Sequence, residues 1–134
     1  MFLAYLEDYN KEKFLKVCAH AALSNGVLAK EEEEMMRLYC REMDIPVNIP
    51  KDIGNLDDVL QDLAESANEA EKNIILLETL GIVKSDGVYD EKEKEFMKKL
   101  VNGLGAREGV LSKLNSLIDI YTTVYKELYA TITE

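Results

Sequence analysis

Apolar residues recur every three or four positions through most of this 134-residue sequence, and that spacing is typical of amphipathic helices. Only two prolines and seven glycines are present, so few positions force a helix to end. The periodicity predicts an all-α protein, a compact array of about six to seven helices. The longest unbroken pattern lies near the end of the chain and contains Leu114, Leu117, Ile118, Tyr121, Val124, Tyr125, Leu128 and Tyr129.

Residues that favour helix ends indicate the boundaries. Asn10 stands where the N-cap of the first long helix is expected, and Asn68 with Glu71 has the spacing of a capping box. Gly103 and Gly105 are expected to end the fifth helix. The predicted helices cover about residues 11–24, 30–43, 56–67, 69–84, 91–102 and 107–131.

The charge of the chain limits its partners. Twenty-six Asp and Glu against sixteen Lys and Arg give a formal net charge of −10, which repels nucleic-acid phosphates and anionic lipid. No apolar run approaches the length of a membrane-spanning helix, and the first residues lack the basic region of a signal peptide. Two cysteines are too few for a secreted disulfide framework. We therefore expect a cytoplasmic protein that does not bind nucleic acid or insert into a membrane.

An internal repeat divides the chain. Residues 24–32 (SNGVLAKEE) match residues 85–93 (SDGVYDEKE) at an offset of 61 positions. In both copies an apolar helix enters, Asn-Gly or Asp-Gly turns the chain, and an acidic helix leaves. We expect one domain, residues 1–134, in which repeat one covers about 11–45, a linker and middle helix 46–67, repeat two about 69–105, and a C-terminal helix about 107–131.

The repeated turns resemble the paired signature of TerB-like proteins, an all-helical family named after a tellurite-resistance protein. The resemblance covers about residues 14–45 and 74–106. It implies that the two loops lie close together, that they form an acidic patch for a divalent cation, and that the protein serves in a stress response or as a partner module. By this resemblance the acidic ligands are Asp86 and Glu93 in the second copy and Glu32 in the first, while Asn25 stands where the family usually has Asp.

The chemistry of the residues allows such a cation site. Calcium takes about six to eight oxygen ligands and magnesium about six, including waters. Asp86, Asp90 and Glu93 cannot fill that shell alone, but Asn25 and Glu32 could complete it if the two loops face each other. The sequence therefore suggests weak Ca²⁺ or Mg²⁺ binding. Zinc is disfavoured because the chain offers one His and two cysteines on or beside apolar stripes.

One look-alike and one structural alternative exist for these acids. An EF-hand is disfavoured because its first two ligand positions in the second copy would be Ile82 and Lys84. The structural alternative is helix capping. Asp90 and Glu93 form a capping box by spacing, and Glu32 lies in a first turn, where the helix dipole favours a carboxylate. Both the cation site and the capping role stay open at this point.

The leading functional hypothesis is a non-enzymatic acidic module that binds a protein partner, with a divalent cation at the repeated loops. The alternative is a pure protein-interaction scaffold without metal, in which the acids cap helices and solvate the surface. A carboxylate-dependent enzyme ranks third, because nothing in the sequence supplies a nucleophile, an oxyanion hole or a cofactor loop. Tyr121, Tyr125 and Tyr129 are expected to line a core or a groove, or to form a docking surface if exposed.

Overall fold

A computed structural model describes residues 1–25, 29–85 and 87–134, without the side chain of Asn25. Within these residues about 74% of the chain is helical and no strand occurs, which confirms the all-α class. Short 3₁₀ turns form at Leu3–Tyr5 and Leu23–Asn25. The six α-helices are α1 (Asp8–Ala22), α2 (Lys30–Glu42), α3 (Leu56–Ser66), α4 (Glu69–Val83), α5 (Glu91–Leu104) and α6 (Val110–Ile132).

Helix α4 is the central element of the core. It packs against α1, α2, α5 and α6, and its apolar residues are distributed around the helix, as expected for a helix enclosed by others. The largest fully buried side chains come from five helices and from the first 3₁₀ turn, and they are Leu3, Phe14, Leu15, Met36, Leu63, Ile75, Leu76, Leu80, Ile82, Met97 and Leu100, with Met43 at the end of α2.

Helices α2, α3 and α4 begin where the sequence predicts. The Asn55 side chain accepts hydrogen bonds from the backbone N–H of Asp57 and Asp58 at the start of α3. The N–H of Glu71 donates to Asn68 Oδ1 at 2.8 Å, and the Asn68 N–H donates back to Glu71 Oε1 at 3.2 Å. The Asn68–Glu71 capping box is thereby confirmed.

The predicted start of α1 is wrong. The helix begins at Asp8, so Asn10 lies inside its first turn and is fully buried. Its side-chain amide donates to Glu71 Oε2 at 2.9 Å, and its Oδ1 accepts from Ser66 Oγ at 2.6 Å. Asn10 therefore joins α1 to the α3–α4 connection rather than capping its own helix.

The predicted end of α5 is wrong at Gly103 and right at Gly105. Gly105 follows the helix with φ +69°, the left-handed conformation of a helix-ending glycine. Gly103 is helical, and a Cβ at this position would lie 2.5 Å from Leu60 Cδ1 and 3.0 Å from Leu60 Cβ. Gly103 is thus the point at which α5 packs closely on α3.

Helix α6 has an uneven environment. Its first half packs on α4, with Leu111, Leu114 and Ile118 partly covered. No residue of this 23-residue helix is fully buried, and its second half is exposed. None of the helices in the described ranges combines the length and the apolar character that crossing a membrane requires.

Candidate functional site

The second repeated unit uses its acids to begin α5. Asp90 is the N-cap, and its Oδ1 accepts a hydrogen bond from the Glu93 N–H at 2.8 Å. Glu93 Oε1 in turn accepts from the Asp90 N–H at 3.0 Å. Glu93 is 2% exposed. The capping-box interpretation of this pair is therefore confirmed.

The first unit repeats half of this arrangement. The N–H of Ala29 donates to Glu32 Oε1 at 3.1 Å, and the methyl side chain of Ala29 offers no acceptor in return. Glu32 is also 2% exposed. Glu32 and Glu93 thus hold equivalent positions, the third residue of an exiting helix, with the same backbone contact and the same burial.

A third glutamate, outside the repeat, has the same role at the start of α4. Glu71 is 3% exposed, and its Oε2 accepts from the Glu7 N–H at 3.0 Å and from Asn10 Nδ2 at 2.9 Å. Burial opposes ionisation of this carboxyl, but the hydrogen bonds from Asn10, Glu7 and Asn68 outweigh it and lower the pKa of Glu71. Helices α2, α4 and α5 therefore share one feature: the third residue of each is a buried glutamate that accepts a hydrogen bond from the backbone N–H three residues before it.

The structure describes the side chains of three of the five predicted cation ligands. Asp86 and the side chain of Asn25 lie outside the described residues, whereas Glu32, Asp90 and Glu93 lie within them. The 3₁₀ turn Leu23–Asn25 packs against α5, so the turn of the first unit contacts the exiting helix of the second. Across the described ranges, no three His, Cys, Asp or Glu side chains gather as a metal site would require. The five-residue ligand set stays a prediction.

A groove of about 770 Å³ opens beside α4, between α2, residues 87–89 and α6. Its lining is mainly apolar and also includes Glu42 and Glu78. The residues that give it this character are Met35, Leu38, Leu77, Gly81, Tyr89, Ile118, Tyr121 and Tyr125.

A polar cluster fixes one end of the groove. Lys84 Nζ donates to Asn115 Oδ1 at 2.6 Å and forms an ion pair with Asp119. The same ammonium lies 5.5 Å from the centre of the Tyr89 ring, a cation–π contact. Burial raises the pKa of the Tyr89 hydroxyl, and the Glu93 carboxylate adds to the rise. The loop of the second unit is thus attached to α6 through Lys84.

Sequence reasoning missed this cluster. Asn115 and Asp119 are four residues apart on α6, a spacing that places both on one helix face. That spacing was visible in the sequence, but the partner Lys84 is 31 and 35 residues away. Only the packing of α6 on α4 brings the three together.

Eight of the sixteen large apolar side chains that are exposed in the described ranges lie on α6. Tyr121 and Tyr125 line the groove with their ring centres 6.2 Å apart. We call the exposed apolar residues on one side of the helix the α6 stripe; their exposed fractions run from 49% to 78%, and they are Leu117, Tyr121, Val124, Tyr125, Leu128, Tyr129 and Ile132. The three tyrosines are therefore surface residues, and their role in docking stays a prediction.

Comparisons with known protein families, with curated proteins and with solved structures found no match.

Proposed function

We propose that this protein is a non-enzymatic protein-interaction module whose docking surface is the α6 stripe with the adjoining groove. The observation that carries the proposal is the exposure of seven large apolar side chains on one side of α6. Contiguous exposed apolar patches on a folded protein mark interaction sites. A groove beside an amphipathic helix is also a common receptor for a partner helix.

The composition of α6 favours a protein over other partners. The helix carries four charged residues among its 23, Lys113, Asp119, Lys126 and Glu127, and their charges cancel. The whole chain, in contrast, has 31% charged residues and a net charge of −10. Depletion of charge together with enrichment in tyrosine is the composition of protein–protein interface cores. Nucleic acid or anionic lipid would demand a basic surface, which α6 lacks.

Photo-crosslinking in the native cell tests this proposal. Benzoyl-phenylalanine replaces Tyr125 in one variant and Glu95, an exposed residue of α5, in a matched control. We expect light-dependent protein adducts of defined mass from position 125 and none of the same mass from position 95. Equal adducts at both positions, or none at 125 in a correctly folded chain, would contradict the proposal.

A second candidate function is divalent-cation binding at the repeated loops, as the resemblance to TerB-like proteins implies. It is supported by the packing of the turn Leu23–Asn25 on α5, and by the equivalent, buried placement of Glu32 and Glu93. A cation would also offset part of the charge of −10. The stress-related role belongs to the same resemblance and stays a proposal with it.

The melting temperature in Ca²⁺ or Mg²⁺ tests the cation proposal, because an ion that binds only the folded chain stabilises it by about 2.7 kcal/mol at a hundredfold excess over Kd. Asp86→Asn gives the second copy the residue that the first copy has at Asn25, and it should abolish the rise in melting temperature. Glu95→Gln, which removes an exposed carboxylate from the same unit, should keep the rise. Equal rises in both variants, or no rise in the parent chain, would exclude the site.

A further inference from the structure

One face of α6 has a mirror-symmetric sequence. Going outward from Tyr125, a tyrosine stands four residues away on each side, at Tyr121 and Tyr129. An isoleucine follows three residues further on each side, at Ile118 and Ile132. At 100° per residue these five side chains fall within an arc of about 80° of the helix surface. We call this set the symmetric face.

The exposure of the symmetric face increases along the helix. Ile118 is half-buried against α4, Tyr121 and Tyr125 are 49% and 57% exposed, and Ile132 reaches 78%. The first part of the face therefore forms a wall of the groove, and the last part projects beyond it. The groove therefore lies beside the first part of the symmetric face, and Tyr129 and Ile132 are exposed at the other end of the helix.

We infer that the occupant of this surface is a second copy of the chain, joined in an antiparallel α6–α6 pair with the two-fold axis at Tyr125. The inference rests on the proposed function, because it names the partner of the same surface. Around that axis Tyr125 meets its own copy, Tyr121 meets Tyr129, and Ile118 meets Ile132. A two-fold axis makes each of these contacts occur twice, and the mirror order of the sequence pairs tyrosine with tyrosine and isoleucine with isoleucine in all of them.

The same axis fills the groove. Tyr129 and Ile132 of each copy are carried past the axis toward Ile118 of the other, where that copy's groove lies between α2, α4 and α6. The projecting end of each helix thus enters the cavity that the other copy presents. The α6–α6 contact therefore covers both the groove and the exposed end of α6, in each of the two copies.

Area and charge agree with this partner. A half-exposed aromatic side chain still offers roughly 100 Å² for burial, so the three tyrosines of the α6 stripe supply roughly 300 Å² of the roughly 800 Å² that each partner contributes to a stable interface. The four aliphatic members of the stripe and the lining of the groove add to that area. The net charge of α6 is zero, so the pair forms on the part of each molecule where like-charge repulsion is weakest.

Sedimentation equilibrium of the purified chain, from micromolar to about 1 mM protein, tests the inference. We expect a monomer–dimer equilibrium in the parent chain. Tyr125→Glu places two carboxylates across the axis and should weaken association by at least about tenfold. Ile120→Glu is the matched control. Ile120 is 61% exposed on the same helix but lies about 140° around the helix from the symmetric face, and this variant should still dimerise.

Cysteine variants test the antiparallel orientation under mild oxidation, because the native Cys18 and Cys40 are buried. Tyr125→Cys should form a disulfide-linked dimer with itself. Ile118→Cys should link to Ile132→Cys and not to itself, whereas a parallel pair would give the reverse.

A parent chain that stays monomeric, or a Tyr125→Glu variant that associates as well as Ile120→Glu, would overturn the dimer. If photo-adducts at position 125 then contain a different protein, the proposed function stands without the dimer. If position 125 gives no adduct either, both fall.

Discussion

Glu71 is the residue on which three separate segments converge. Its two carboxylate oxygens accept from the N–H of Asn68, the N–H of Glu7 and the side-chain amide of Asn10. The side chain is almost fully buried, so the donors replace the water that an ionised carboxylate would otherwise hold. The N-terminal segment, α1 and α4 are therefore held together through one charge.

Replacing Glu71 with Gln should lower the free energy of unfolding by about 1–3 kcal/mol near neutral pH, because an amide nitrogen would face donors that need an acceptor. The pKa of Glu71 lies below its ordinary value of 4.5 in the folded chain. Its contribution is therefore present above pH 4.5 and is lost as the pH falls through the lower, folded-state value.

Urea unfolding at about pH 7 and about pH 3 measures this, and the difference between the parent chain and the Gln variant should be smaller at the acidic pH. Glu69→Gln is the control, since Glu69 is exposed and forms only a 3.5 Å surface pair with Lys72. A difference that persists undiminished at acidic pH would show that the charge of Glu71 does not stabilise the fold.

Single residues also show where sequence reasoning succeeds. Local signals were sufficient at Asn68 and Asp90, because a capping box is completed within four residues. They failed at Asn10, whose side chain is as suitable for a cap as theirs. Its actual partners, Ser66 and Glu71, are 56 and 61 residues away, and no local pattern reports them.

At the scale of elements, α5 shows the same limit. A glycine near the end of a helical pattern predicts termination, and Gly105 confirms it, whereas Gly103 serves the contact between α5 and α3. The two glycines differ in their surroundings, because a Cβ at Gly103 would meet Leu60 whereas a Cβ at Gly105 would meet no atom within 4 Å. Leu60 is the neighbour that matters, and its position follows from the packing of α3 rather than from the sequence near Gly103.

Gly103→Ala should destabilise the protein by about 1 kcal/mol, because the new methyl group would overlap Leu60 and a helix-propensity gain offsets only part of that cost. Chemical unfolding of the purified variant measures the change. Asn102→Ala, an exposed neighbour in the same helix, should show no loss. In a Leu60→Ala background, Gly103→Ala should no longer destabilise; an equal loss there would exclude the contact as the cause.

Helix α6 was predicted as a helix, but its environment was not. The three-to-four spacing of its apolar residues requires a covered face, and α4 covers only the first half. The spacing does not identify what covers the second half, because the same three-to-four pattern of apolar residues occurs whether the face packs on a core, on another protein or on a second copy. The mirror order around Tyr125 gives like-with-like pairs when a second copy covers this half, and that order matters only because the face is exposed.

At the scale of the whole molecule, charge is separated from apolar surface. The chain carries −10, while the 23 residues of α6 carry zero. The charge was readable from composition, and its segregation from the α6 stripe follows from the fold. The cation prediction belongs to this scale too, since its ligands come from both units and the turn Leu23–Asn25 of the first unit packs on α5 of the second. It stays a prediction because Asp86 and the Asn25 side chain lie outside the described residues.

This separation predicts an unusual salt dependence for the dimer. Two bodies of charge −10 repel each other at long range, and that repulsion is screened as the Debye length falls from about 30 Å at 0.01 M to about 10 Å at 0.1 M salt. The apolar contact between the helices is not weakened by the same change. We therefore expect the association constant to rise with NaCl over this range, opposite to an interface formed by charge pairs.

Sedimentation equilibrium in NaCl at the two concentrations measures the effect, and CaCl₂ at matched ionic strength separates screening from binding. If screening alone acts, the two salts strengthen the dimer equally in Asp86→Asn and in the parent chain. If the loops bind calcium, the parent chain associates more tightly in CaCl₂ and the Asp86→Asn variant loses that excess. An association constant that falls with NaCl would mean that charge pairs, rather than the apolar side chains around Tyr125, hold the two copies together.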